Sequence, residues 1–497
     1  MKKKRLRGLP DIRRHFQRND VPTYFVSATP FNLLGMDEWV RNFTFINSID
    51  CFDGAHPHVF VPKERAHPVF ESIEEINNYL LSHPDVERLV KQNAPRGKRG
   101  KGARGNAVFL FFDEETEALC ERLGLRVCFP PAKLRQRVDN KIATTRIGNE
   151  AGVRSVPNAL TRVRDWKHLQ QIARRHRLGD KLVVQTAYGD SGHTTFFVAN
   201  EREYRRYAPE IEREKEVKVM KRVRCRGSAL EACVTSHGTI VGPLMTELVG
   251  FKELTPYKGG WCGNEVFAES FPQKIRDQAR RSAFKIGEAL RKRRYRGYFE
   301  VDFLLDRDSG ELYLGELNPR ITGASSMTNL AAFAHADAPL FLFHLLEYSG
   351  LSFDLDVEDI NRRWADADNI DDWSQLVVKH TGTKVEPITA APASGVWELG
   401  ADGRVSFVRP QTHRRTVQRE DRAFFLRFAK EGDWFYEGAD LGVLVTPGRL
   451  MTRGFHLNRR ARAWIAGLRK HFRAGRATAG EREAAQDVAD AAGFKFL

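Results

Sequence analysis

The chain has 497 residues, and its 80 Lys and Arg outnumber its 64 Asp and Glu to give a formal net charge of +16. Its composition, 41% hydrophobic and 29% charged, is that of a globular protein rather than a fibrous or disordered one. The length exceeds what one core accommodates and predicts roughly two to four domains, and no apolar run approaches the roughly 18–20 residues of a membrane span.

Residues 1–20 read as a mobile basic arm. A β-branched and aromatic run at 22–28 predicts a strand, followed by a helix-like stretch at 33–42 and strand-like runs at 43–47 and 58–62. Helical periodicity covers 73–92, with a break near Pro84. The apolar run 107–112 suits a strand buried on both faces, and a helix (114–123) and a short strand (125–129) follow it. Strands alternating with helices predict a parallel α/β layer. Residues 131–151 read as helical and stop at Gly152. Strands are expected at 181–185, 196–199 and 216–223, and further strand-like sequence at 228–250. A basic helix is expected over 273–294, with Ile275, Ala279, Phe284 and Ile286 facing the core. An apolar helix, 331–346, is interrupted at Pro339; its His335 and His344 read as packing residues. Beyond about 350, strand-like pieces recur at 375–379, 394–399, 404–408 and 442–446, and a last helix begins near 457.

The six cysteines, Cys51, Cys120, Cys128, Cys225, Cys233 and Cys262, include no CxxC pair, so reduced thiols are expected rather than zinc or a disulfide framework. The basic start lacks the apolar segment of a signal peptide, and cytoplasmic residence is expected. Part of the positive charge sits in Lys2–Arg7 and in the run 96–105. No nucleic-acid-binding motif accompanies it, so solvated arm and loop is the favoured reading and nucleic acid is not the expected partner.

Residues 297–326 carry the most chemistry. Runs at Tyr298–Leu305 and Glu311–Asn318 flank a turn, and side chains alternate faces along a strand. Glu300, Asp302 and Leu304 then share one face, and Leu314, Glu316 and Asn318 share a face of the partner strand. A hairpin symmetric about Ser309 places Asp302 opposite Glu316, and Glu300 opposite Asn318. Facing carboxylates repel. A bound cation resolves the conflict, and oxygen ligands suit Mg²⁺ or Mn²⁺. Arg320 follows on the same parity. Upstream, Gly189, Ser191, Gly192, Thr194 and Thr195 lie between two strand-like runs, where backbone N–H groups and hydroxyls can approach a phosphate. Neither a Walker A motif nor GxGxxG after a strand is present.

The order of these parts, Asp139-Asn140-Lys141 with Glu150–Pro157, then strand–Gly189-Asp190-Ser191-Gly192–strand, then Glu300–Phe303 and Glu316–Arg320, resembles the ATP-grasp superfamily over residues 107–346. The resemblance implies an α/β (α+β) protein. Its parts are a basic arm at 1–20, a pre-ATP-grasp α/β domain at 21–132, and an ATP-grasp domain at 133–348. That domain carries a two-part nucleotide cleft and a lid at about 155–225, and a C-terminal α/β region spans 349–497. By the same resemblance, ATP with Mg²⁺ (or Mn²⁺) is the expected cofactor pair. Lys141 reaches the phosphates, and the loop of Gly189, Ser191, Gly192 and Thr194 covers them. Met220, Lys221, Arg222 and Val223 form the adenine hinge, and Glu231 faces the nucleotide. Asp302, Glu316 and Asn318 hold the metal, with Glu300 behind them or exposed, and Arg320 stands at the transferred phosphoryl group. Many family members have a lysine where this chain has Gln185, whose amide can bond a phosphate oxygen or adenine N7 but supplies no charge; either Lys181, Lys221 or Arg222 compensates, or ATP binding is weakened or catalysis lost. His193 in the glycine loop reads as solvent-facing.

The implied activity is a ligase that converts a carboxylate into an acylphosphate for attack by an amine. Small-molecule or peptide carboxylate and amine substrates are the expected partners, and a homodimer the expected assembly. Thr322, Ser325 and Ser326 are candidate substrate contacts, or caps of the helix that follows. A biotin-carboxylase-like reaction with bicarbonate is the alternative, although Gly227–Cys233 lacks the His-Glu-Gln pattern of such enzymes. A non-catalytic nucleotide- or nucleic-acid-binding protein is the alternative of a different class.

Overall fold

In the computed structural model, which describes residues 5–63, 70–94, 104–188, 195–329, 338–483 and 485, the first third of the chain builds a five-stranded sheet. Its order is Val59–Phe60, Phe43–Asn47, Thr23–Ser27, Gly105–Phe109, Leu125–Val127, and every neighbouring pair is parallel. Tyr24, Phe25, Val26, Val108 and Phe109 are fully buried, as an apolar run covered on both faces requires. The helical stretch 73–92 divides at His83 into Ile73–Ser82 and Pro84–Gln92, with Pro84 opening the second helix, where its missing N–H costs nothing.

The basic arm is not mobile over its described part. Arg5–Arg7 pairs in parallel with Ser352–Asp354. Gly8–Gln17 is a helix whose Ile12 and Phe16 are buried in the N-terminal core, together with Leu6. The alternation of basic and apolar residues there encodes an amphipathic helix rather than a tail.

The segment expected to be the lid is a separate layer with its own core. Its four strands run in the order Asn158–Thr161, Val217–Lys221, Leu182–Gln185, Thr195–Val198, backed by helices Trp166–Arg175 and Glu201–Glu212. Val184, Phe196, Val217 and Val219 point into that core. The loop residues Gly189, Ser191, Gly192, His193 and Thr194 lie outside the described residues, as does His335.

The largest element is a ten-stranded sheet. It starts with Leu312–Asn318 and Gly297–Asp306, continues through Cys225–Thr235, Gly238–Val249 and Trp261–Val266, and passes without interruption into Trp373–Lys379 and the C-terminal strands. The expected boundary near 349 therefore does not divide the sheet. Helix Gln273–Lys292 packs on the face opposite the site, through Ile275, Ala279, Ala283 and Ile286. Phe284, expected in that core, is instead 40% exposed, and the small Ala283 takes the buried position.

His344, on helix Leu340–Tyr348, joins this sheet to the N-terminal one. Its Nδ1 accepts from the Tyr298 N–H at 3.0 Å, and its Nε2 donates to the Cys128 carbonyl at 2.6 Å. Gly297 must be glycine here: its φ is +100°, and a Cβ would lie 2.4 Å from His344 Nδ1. Burial pushes the His344 pKa down to about 3, keeping the ring neutral as both hydrogen bonds require. Among the described residues no helix is long and apolar enough to cross a membrane.

Candidate active site

The hairpin register matches the expected pairing: Asp302 is opposite Glu316, and Glu300 opposite Asn318. Beyond that point the register shifts, and Phe303 pairs with Leu314, which leaves Gly315 as the extra residue of a β-bulge. The bulge corrects one expectation. Leu314 does not share a face with Glu316; it is buried in the core beside Phe303 and Leu317, while Tyr313 turns to the cleft side with Leu304.

On the cleft face the carboxylates crowd. Glu231 lies opposite Glu300 in the next strand, and Glu300 is buried rather than exposed. Asn318 Nδ2 donates to Glu300 at 3.3 Å and to Asp302 Oδ2 at 3.2 Å. Asp302 Oδ1 is buried with no hydrogen-bond partner among the described residues. Burial and the neighbouring Glu247, Glu300 and Glu316 hold the Asp302 carboxyl well above its ordinary range, against the opposing pull of Arg320.

Glu247 is a carboxylate that the sequence did not single out. It leans over Gly227, where a Cβ would come within 2.8 Å of its Oε2, and burial followed by Glu316 pushes its pKa up to about 7. Among the described residues no three His, Cys, Asp or Glu side chains close on one point as a preformed metal cage would. The facing carboxylates of Asp302 and Glu316, the orphaned Asp302 Oδ1 among their oxygens, and the Asn318 amide form instead an incomplete oxygen set. This set suits Mg²⁺ or Mn²⁺, which takes one or two carboxylates and completes its shell with water and phosphate.

Lys141 is the first residue of helix Lys141–Glu150, whose N-cap Asn140 accepts from the N–H groups of Ile142 and Ala143. The Lys141 ammonium lies 3.4 Å from Glu316, and its N–H donates to Ala187 O, which ties the helix start to the lid. Arg320 is braced from the other side. Its Nε lies 3.7 Å from Asp139, and its guanidinium stacks over the Phe111 ring at 4.2 Å. Phe111 follows strand Gly105–Phe109 of the N-terminal sheet and Asp139 lies just ahead of helix Lys141–Glu150, so Arg320 stands where these two parts meet.

The lid presents two rows to the cleft, because its register sets Lys218 opposite Gln185, Met220 opposite Val183, and Gln185 opposite Thr195. Met220 and Val183 join Val156, Val223, Leu304 and Tyr313 in an apolar cluster between lid and hairpin. The Lys221 and Arg222 N–H groups donate to Pro157 and Lys181 carbonyls, so these two hinge amides are already engaged. Gln185 donates to Thr195 at 3.1 Å. The expected replacements for its missing charge point elsewhere: Lys181, Lys221 and Arg222 are exposed, and Arg222 lies over Phe197. Lys218 is the lysine buried on this face. Burial lowers its pKa to about 8, with Glu316 pulling upward and Lys141 downward.

Glu231 and the residues after the hairpin form a closed network. Its carboxylate accepts from Tyr298 at 2.6 Å, Ser325 at 2.5 Å, Thr322 at 3.2 Å, and Thr328. Burial still raises its pKa to about 7. Ser326 donates to Gln375. The hydroxyls of Thr322, Ser325 and Ser326 are thus spent within the protein. Ser325–Thr328 is itself helical with Ala324 preceding it, and the start of the apolar helix these serines are expected to cap lies outside the described residues. These residues brace the hairpin end.

At the level of sequence, no family model and no curated protein matches the chain. Solved structures do match. The biotin carboxylase from Campylobacter jejuni, solved with an ATP analogue, superposes with a TM-score of 0.60 at 12% identity, covering 92% of each chain. The biotin carboxylase domain of the Hydrogenobacter thermophilus 2-oxoglutarate carboxylase, solved with MgADP and bicarbonate, gives 0.57 at 12% identity over 86% of each chain. The N5-carboxyaminoimidazole ribonucleotide synthetase of Thermotoga maritima gives 0.53 at 13% identity over 91% of this chain and 99% of that one. The chain has the ATP-grasp fold. Within it, the arrangement is similar in extent to both biotin carboxylases and N5-carboxyaminoimidazole ribonucleotide synthetases.

Proposed function

We propose that this chain is an Mg-ATP-dependent ligase that activates a carboxylate as an acylphosphate and passes the acyl group to an amine. The observation that carries the reading is the orphaned Asp302 Oδ1 facing Glu316 beside Asn318, with Lys141 at 3.4 Å. A buried carboxylate is costly without a counter-charge, and a bound cation would add one.

In this reading Asp302, Glu316 and Asn318 would hold Mg²⁺, which would neutralise charge on the phosphate oxygens and so favour attack at the terminal phosphorus. The apolar slot of Met220, Val183 and Leu304 takes the adenine, and Val223 offers a backbone N–H at its rim. Lys141 binds the phosphates once Glu316 turns to the metal. Arg320 holds the acceptor carboxylate with its planar fork. A carboxylate oxygen attacks the terminal phosphorus while the bond to ADP breaks. The amine nitrogen then attacks the acyl carbon, the C–O bond to phosphate breaks, and the nitrogen gives up a proton. No side-chain nucleophile is needed; positioning and charge do the work.

A second reading has bicarbonate as the carboxylate. The likeness to a structure holding MgADP and bicarbonate supports it, and so does the likeness to a synthetase holding ADP and an aminoimidazole ribonucleotide. ADP and phosphate release, measured with Mg-ATP over amino acids, short peptides, bicarbonate and biotin, tests both. Turnover that needs a carboxylate and an amine together supports the ligase. Turnover with bicarbonate and biotin as the sole stimulants favours a carboxylase, and no turnover with any of them counts against both.

A further inference from the structure

We propose that Lys218 supplies the phosphate-binding cation that position 185 lacks, reaching the polyphosphate of a nucleoside di- or triphosphate from the neighbouring lid strand. This rests on the nucleotide reading above and adds a residue to it.

Three observations converge. The first is placement: Lys218 pairs directly with Gln185 across the antiparallel lid strands. Directly opposed side chains share a face and lie close, roughly 5 Å apart at Cβ. Lys218 also has the parity of Met220, which faces the hairpin, while its neighbours Val217 and Val219 fill the lid core. The second is burial without compensation. Lys218 is 1% exposed, yet among the described residues its side chain makes no hydrogen bond and its ammonium has no carboxylate within 4.0 Å. A buried ammonium in that state is unfavourable until an anion arrives. The third is company. Lys141 and Glu316 are the charged groups that act on it most strongly, and Glu316 already sits 3.4 Å from Lys141. Lysines from the helix start and from the lid thus converge on one carboxylate that the metal reading assigns to Mg²⁺. When Glu316 turns to the metal, its charge no longer offsets that of Lys218, which is left for phosphate oxygens.

The strand pair explains how the exchange is tolerated. Gln185 bonds sideways to Thr195, so its amide is directed away from Lys218 and the row keeps one cation. Moving the charge by one strand keeps it on the same face at nearly the same depth.

The test is calorimetric titration of the full-length protein with MgADP and with adenosine, for wild type, Lys218→Met and the double variant Lys218→Met/Gln185→Lys. Loss of one charge-assisted phosphate contact predicts MgADP binding weakened about 10- to 100-fold in Lys218→Met. Adenosine binding should be unchanged, and the lysine returned at 185 should recover most of the loss. Thermal unfolding checks that Lys218→Met folds, and Lys218→Gln takes its place if it does not. Equal MgADP affinity in wild type and Lys218→Met overturns the proposal while leaving the nucleotide reading intact. So does an equal loss for adenosine, which marks a packing role. Wild type that binds neither ligand overturns the nucleotide reading and this one with it.

Discussion

Asp302 and Glu316 are direct cross-strand partners, and the register slips immediately beyond them because Gly315 is inserted as a bulge. The slip keeps both carboxylates on one face while it sends Leu314 into the core and Tyr313 towards the apolar cluster of Met220 and Val183. A regular hairpin would have had to place Leu314 beside the carboxylates. The bulge lets one strand serve a polar site and an apolar core within three residues.

The carboxylate crowd stores instability that a cation relieves. Asp302→Asn removes one charge from a buried group already held above its ordinary pKa. It should raise the stability of the nucleotide-free protein by about 1 kcal/mol while abolishing Mg²⁺-dependent turnover. Urea unfolding beside an ADP-release assay measures both. A destabilised variant would mean that the carboxylate serves the fold.

Mg²⁺ should stabilise the protein more at high pH than at low. Glu247 is pushed up to about 7, and Asp302 and Glu300 are also raised by burial. A carboxylate with a raised folded pKa favours the native state while protonated, and that contribution fades as pH rises towards the folded value. Above it the ionised groups repel one another and bind a cation. The shift in melting temperature with Mg²⁺ should therefore grow between pH 5.5 and 8, read by thermal unfolding at fixed ionic strength.

His344 predicts the opposite slope. Its folded pKa is about 3 against an ordinary 6.5. Its stabilising contribution is complete above 6.5 and is lost as pH falls towards 3, at roughly 1.4 kcal/mol per pH unit. His344→Gln should flatten the acid limb of stability between pH 6.5 and 4, whatever its effect at neutrality. The difference between the two stability–pH curves isolates this residue from the carboxylates.

Arg320 stacks on Phe111 and pairs with Asp139, so its plane and its direction are both fixed. Lys keeps the charge but loses the fork and the stack. Arg320→Lys should lower kcat at least tenfold, towards the ~10²-fold typical of a lost transition-state donor, with little change in MgADP affinity. A matching loss of MgADP affinity would place Arg320 at the nucleotide rather than at the acceptor.

Much of this site was legible from local pattern. Period-2 parity and the turn at Ser309 were enough to pair Asp302 with Glu316 and Glu300 with Asn318, because hairpin partners are close in sequence. The five parallel strands of the N-terminal layer were equally readable from apolar runs bounded by turns. What escaped depended on distant pairing. Lys218 acquires its meaning only when Val217–Lys221 is laid antiparallel to Leu182–Gln185, some thirty residues away, and Glu247 only when Gly227 gives it room. Gly315 carried a signal that parity alone ignores, since glycine within a strand marks a bulge. The arm at 5–17 was misread because its charge masked the spacing of Leu6, Ile12 and Phe16.

The most direct test of the account is Mg²⁺-dependent ADP release by wild type and Asp302→Ala over a panel of carboxylates, bicarbonate included, each with and without amines. The account predicts release by wild type that requires a carboxylate and an amine together and disappears in the variant. Turnover that survives in Asp302→Ala, or no ADP release with any pair, would contradict it.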